Sequence, residues 1–231
     1  MGVLRTLFTT TVLGGAGSAG AFAFWTRNAQ FVPLTTADPI FTSQAYLFQN
    51  PNSNPATQDL CLRRVPLSKI KPQLLEKASS GALIEAFCAG VWSGWGYEVQ
   101  RRVLERKWRG DVARTGHQLW DRKELHESKY EVGTQITDHF EVVEKVTGEE
   151  GRIVVRCGDS PLNRDVRPSD GLFEMSVKID REKREAVFGL KSVLFQGLGK
   201  AEGKPMPAHI EFLHRVYTKL WMETAVANCV M

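Results

Sequence analysis

At Tyr130 the hydrophobic period of this chain shortens from three or four residues to two, and after Pro207 it lengthens again. Period two belongs to strands, whose alternate side chains share a face, and a period near 3.6 belongs to helices with one apolar stripe. Strands are expected over 130–136, 139–146, 152–157, 171–179 and 186–195, with the charged run Asp180 to Glu185 as a hairpin loop between the last two. Phe173, Met175, Val177 and Ile179 share one face and Glu174, Ser176 and Lys178 the other, so the sheet has a buried and a wet side. In the final segment Ile210, Leu213, Tyr217, Leu220 and Thr224 form a stripe widened by Val216 and Trp221, which predicts a long amphipathic helix with Leu213 and Leu220 facing the sheet.

Before Tyr130 the pattern is mostly helical. Leu60 and Leu62 alternate with Cys61 and Arg63 before Pro66, which reads as an edge strand. A short helix is expected over 68–78 and a restart after Gly81. Leu83, Ile84, Phe87, Val91 and Trp95 then form an apolar face, and Gly90, Gly94 and Gly96 should bend or break that helix. From Tyr97 to Trp108, Val99, Val103 and Leu104 are expected inward and Arg101, Arg102, Glu105 and Arg106 outward. Asp121 with Glu124 three residues on has capping-box spacing. Residues 26–58, with Pro33, Pro39, Pro51 and Pro55, read as a Pro/Asn-rich linker lying over the domain, in which only 41–48 could make a short strand. The expected division is a hydrophobic segment at 1–25, the linker at 26–58 and an α+β domain at 59–231. That domain is long enough to bury a core without disulfides, and Cys61, Cys88, Cys157 and Cys229 form no CxxC pair.

Nineteen residues from Leu7 to Trp25 carry no charge and are bracketed by Arg5 and Arg27. As a helix they would reach roughly 28 Å, enough to cross a bilayer once. Gly14/Ser18, Gly15/Ala19 and Gly17/Ala21 supply small-residue spacing for close helix packing, and Trp25 stands where an interfacial aromatic belongs. The same residues suit a cleaved secretory signal with Ala21-Phe22-Ala23 as its processing site, or a mitochondrial presequence with no acid before Asp38. The expectation is a single-pass membrane anchor or targeting peptide, with the mitochondrial and endomembrane systems both open.

Strand, helices, a run of antiparallel strands and one long terminal helix is an order that resembles the START-like (helix-grip, SRPBCC) superfamily of lipid-transfer domains, polyketide cyclases and coenzyme Q-binding proteins. The resemblance runs from about Asp59 to Met231 and rests on element order. The stretch at 133–144 also resembles uncharacterised families of this shape. It implies a curved antiparallel sheet wrapped around the C-terminal helix and enclosing an apolar cavity. The long helical insert up to Trp108 departs from the usual pattern. The rival, a cone-shaped NTF2-like domain, would place its helices first and its strands last, against the helical ending of this chain.

Thirty Lys and Arg stand against 26 Asp and Glu with no run of like charge, so a nucleic-acid binder is not expected. His209 and His214 are five apart and point away from each other on a helix, so no metal site is expected. No Gly-x-Ser-x-Gly, Walker loop or dinucleotide fingerprint occurs in the folded part, and no cofactor is expected.

The most distinctive polar stretch is the strand-joining loop 156–171. Arg156 at its start is expected to enter the cavity and bind a ligand carboxylate or enol, unless the loop is held by its own Asp–Arg pairs. Arg156, Asp159 and His139 are the candidate catalytic groups. Trp92, Trp95, Phe173, Met175, Tyr217 and Trp221 are candidate lining residues, each with plain core as the competing reading.

Together these features suggest a membrane-tethered binding domain for an apolar small molecule or lipid. The alternatives are a cofactor-independent cyclase or isomerase acting on a ketone or polyketide-like substrate in the same cavity, and a non-enzymatic scaffold of a membrane complex with an unidentified protein partner.

Overall fold

The computed structural model describes residues 18–231. Residues 7–17 of the uncharged segment, with Gly14, Gly15 and Gly17, lie outside the described residues. Residues 18–25 are helical (α1), and among the described residues no helix is long and apolar enough to cross a membrane.

Seven strands form one antiparallel sheet: β1 (Ala29–Val32), β2 (Thr57–Pro66), β3 (Gln135–Ile136), β4 (Phe140–Val146), β5 (Glu150–Cys157), β6 (Asp170–Asp180) and β7 (Glu185–Phe195), in the order β1-β2-β7-β6-β5-β4-β3. The period-two runs from residue 139 onward fall on β4 to β7. The run at 130–136 does not: only Gln135–Ile136 pairs, because Tyr130 adopts a positive φ of 52° and turns the chain, its hydroxyl donating to Leu125 O.

The expected edge strand is β2, and it is not an edge. It pairs with β7 over its whole length and with β1 on its other side, so the supposed linker supplies the true edge. The stretch 41–48 is not a strand either. Asp38 and Ser43 cap successive helical turns, with Ser43 Oγ accepting from Tyr46 N at 3.2 Å, and residues Gln44–Gln49 form α2. Ile40, Phe41 and Tyr46 pack there on Val154, Leu172, Val193 and Phe195, which covers much of the face expected to be wet.

The other helices are α3 (Pro72–Glu76), α4 (Ala82–Ser93), α5 (Trp95–Trp108), α6 (Val112–Thr115), α7 (Arg122–Glu127) and α8 (Ala208–Ala227). Gly94, extended at ψ 155°, breaks the helix at one of the three expected glycines. The Asp121/Glu124 capping box is present at the start of α7. Two helices fill the inner face: α4 lies on β5 and β6, and α8 lies on β1, β2 and β7. Nine of the twelve residues of α4 are buried, so it is the more central of the two. They touch at Gly90, where an added Cβ would stand 2.6 Å from Ala225 O, so only glycine allows this approach.

Two inward stripes need correction. On α5, Val99 and Val103 point to solvent, and Gly96 and Tyr97 are the buried positions. On α8, Ile210 and Leu213 are exposed, and the buried face begins only at Thr218 and continues through Trp221, Met222, Ala225 and Val226. The first half of α8 extends past the helices that cover the second half.

Candidate functional site

Beneath that exposed half of α8 lies a cavity of about 360 Å³. Its floor is the inner face of the sheet, with Phe140 on β4, Phe173 on β6 and Ser192 and Leu194 on β7. Gln100 on α5 and His214, Tyr217, Thr218 and Trp221 on α8 form its walls. Gly158 and Ser169, from the loop between β5 and β6, and Pro205 and Met206, from the segment before α8, surround its mouth. Alternation along β6 and β7 aims these side chains inward, while the break at Gly94 lets α5 turn away and leave room.

Four of the expected residues line the cavity or its rim: His139, Phe173, Tyr217 and Trp221. Trp92 is fully buried behind the wall, with its ring centroid 4.6 Å from Phe140 and 5.5 Å from Trp221. Met175 is fully buried core. Trp95 lies elsewhere, exposed after the helix break and stacked on Trp25 at 5.6 Å.

Arg156 does not enter the cavity. It occupies an outward position on β5, where Nε and Nη2 donate to the two oxygens of Asp170 at 2.9 and 2.5 Å and Nη1 and Nη2 donate to the carbonyls of Arg164 and Asp165. The loop is thus held by its own ion pair. Asp159 is an exposed member of the same loop; burial works to raise its pKa, but bonds from the Asn163 side chain and Ser160 N and the nearby Arg167 outweigh it and lower the value.

Arg167 is buried, and among the described residues its guanidinium donates only to the carbonyls of Asn163 and Asp159. Burial, then the charge of this arginine, lowers the pKa of His139, so its imidazole is neutral near pH 7. The Cys157 thiol, also on the lining, is pushed up to about 12 by burial and is no thiolate nucleophile.

Reasoning from the sequence missed the polar cluster at the opposite side. Asp59 on β2 and Ser192 on β7 stand directly opposite each other in the ladder. His214 Nε2 lies 3.2 Å from Ser192 Oγ and 3.2 Å from Asp59 Oδ2. Both oxygens of Asp59 are buried without a hydrogen bond among the described residues. The signal was present: β2 alternates Thr57, Asp59 and Cys61 inward against Leu60 and Leu62, and a carboxylate at an inward strand position is rarely left unpaired. The cavity therefore has positive charge behind His139 and negative charge behind His214. Among the described residues no cluster of side chains could hold a metal ion.

No family model matches the chain, and neither a curated protein nor a solved structure does.

Proposed function

We propose that this chain is a helix-grip domain of START-like type, tethered to a membrane through residues 7–25, that holds an apolar small molecule or a lipid chain. The observation that carries the reading is the 360 Å³ cavity, with an aromatic floor and a few convergent polar groups. Element order supports it as well: the first long strand neighbours the last, the helices come between them in sequence, and the terminal helix lies across that seam. The volume is at the small end for ligand sites, which favours one chain or ring system over a whole diacyl lipid.

The test is direct. Full-length protein, delipidated in detergent, is titrated with fluorescent fatty acids, sterols, quinones and polyketides. Saturable binding to one class is expected, and Leu194→Trp, which fills the cavity, should abolish it while the chain still unfolds cooperatively. Failure of every class to bind overturns the reading.

A second reading, catalysis on a ketone or polyketide-like substrate, is favoured by one observation: an imidazole beside a buried carboxylate and a serine hydroxyl. His214, with Nε2 3.2 Å from Asp59 Oδ2 and from Ser192 Oγ, replaces Arg156 and Asp159 as the acid–base candidate. Under this reading His214→Gln leaves binding intact and stops conversion of the bound ligand.

A further inference from the structure

Away from the cavity, α5 turns an unusual face to solvent. At about 100° per residue, Trp95, Val99, Arg102, Val103 and Arg106 fall within a single arc of roughly 100°. All five are exposed, with Trp95 at 57%, Val99 at 73% and Val103 at 59%. A helix face that alternates large apolar groups with arginines is poorly suited to the interior of a protein and well suited to the plane of a membrane interface.

A second observation adjoins it. Trp95 stacks on Trp25, at an interplanar angle of 19°, and both rings border an open groove of about 880 Å³ between the end of α4, α7 and the C-terminal turn of α8. Arg63, Lys69, Arg122 and Lys123 line this groove, and among the described residues Glu223, already paired with Arg63 at 3.2 Å, is its one acidic side chain. Lys69 and Lys123 are exposed and form no ion pair among the described residues. Trp25 is also the last apolar residue before Arg27, so the groove and the α5 face begin where the proposed tether ends.

We infer that the outer face of α5 and the basic groove beside it form a docking surface for an anionic lipid bilayer. Trp25, Trp95, Val99 and Val103 enter the headgroup layer, and the lysines and arginines meet lipid phosphates and carboxylates. Stacked tryptophans prefer that depth, and basic residues near an anionic leaflet add attraction that depends on its charge. The surface is separate from the ligand cavity and depends on the tether only for its nearness to the bilayer.

The test uses the full chain with Val99→Cys carrying an environment-sensitive fluorophore. The four native cysteines are buried, so labelling is directed to position 99. A second label at Glu182→Cys, in the exposed β6–β7 hairpin, reports a site that should stay in water. Vesicles of phosphatidylcholine alone are compared with phosphatidylcholine mixed with phosphatidylserine, and flotation of the protein with each is recorded in parallel.

The label at 99 should brighten several-fold and resist an aqueous quencher on the phosphatidylserine vesicles only, with the label at 182 unchanged. Lys69→Glu with Lys123→Glu should reverse this, as should high salt. If the protein floats with both vesicles while position 99 stays aqueous, the docking surface is overturned and the tether stands. If it floats only with anionic vesicles and position 99 brightens, docking stands and the tether fails. Equal brightening on both vesicles overturns the anionic selectivity.

Discussion

His214 on α8 places Nε2 3.2 Å from Oδ2 of Asp59 on β2, yet neither oxygen of that buried carboxylate accepts a hydrogen bond among the described residues. A charge left so costs stability, and sites that keep such a cost are commonly functional. Asp59→Asn should therefore stabilise the fold by about 1 kcal/mol, seen as a rise of roughly 2–4 °C in Tm, while weakening ligand binding or turnover. A lower Tm with unchanged ligand affinity would show that the carboxylate serves structure alone.

The imidazole of His139 titrates below its ordinary value of 6.5, because burial and then Arg167 disfavour its charged form, against the opposing pull of Asp159 and Asp138. As pH falls through 6.5 the unfolded chain takes up this proton and the folded one does not. Stability is thus lost between 6.5 and the lower folded value, and the loss then levels off. Urea midpoints of the native protein should fall more steeply than those of His139→Gln as pH drops from about 7 to about 5. Parallel profiles would contradict the assignment.

The strands from β4 to β7 were legible because their alternation is uninterrupted, and the break at Gly94 because an extended glycine ends a helix. What the sequence concealed was relational. Val99 and Val103 sit at helical spacing whether they face a core or solvent, and only the position of α8 decides. Phe41 and Tyr46 look like strand residues until the caps at Asp38 and Ser43 are taken into account. The site was half legible for the same reason. Phe173 and Trp221 followed from periodicity, whereas Asp59, Ser192 and His214 come from three elements far apart in sequence, and their meeting depends on β2 pairing with β7.

Arg156 and Asp170 form a buried pair, with side-chain exposures of 6% and 0%. Removing the arginine alone strands a carboxylate, so Arg156→Met should cost about 3–5 kcal/mol, whereas Arg156→Met with Asp170→Leu should recover most of that loss. Arg156 lies outside the cavity lining but Asp170 borders it, so the double variant should change ligand affinity only through position 170. Chemical denaturation of the three proteins, with ligand titration of the double variant, checks both parts.

The terminal helix gives the sharpest contrast between pattern and packing. Leu213 belongs to the apolar stripe yet is 57% exposed, while Met222 is fully buried between α4 and the sheet. A carboxylate at Met222 would lose its hydration with no cation designed to meet it, on top of the roughly 2–5 kcal/mol that removal of a large buried side chain costs. The sum rivals the whole stability of an ordinary domain. Met222→Asp should consequently fail to give soluble folded protein, and Met222→Ala should fold with a lowered midpoint, which separates loss of packing from burial of charge. Leu213→Asp, in contrast, should shift the midpoint by only about 0.5 kcal/mol or less, because its side chain already meets water. A Leu213→Asp variant that unfolded as completely as Met222→Asp would mean that the first half of α8 is pressed against the sheet, and the cavity beneath it would then be closed.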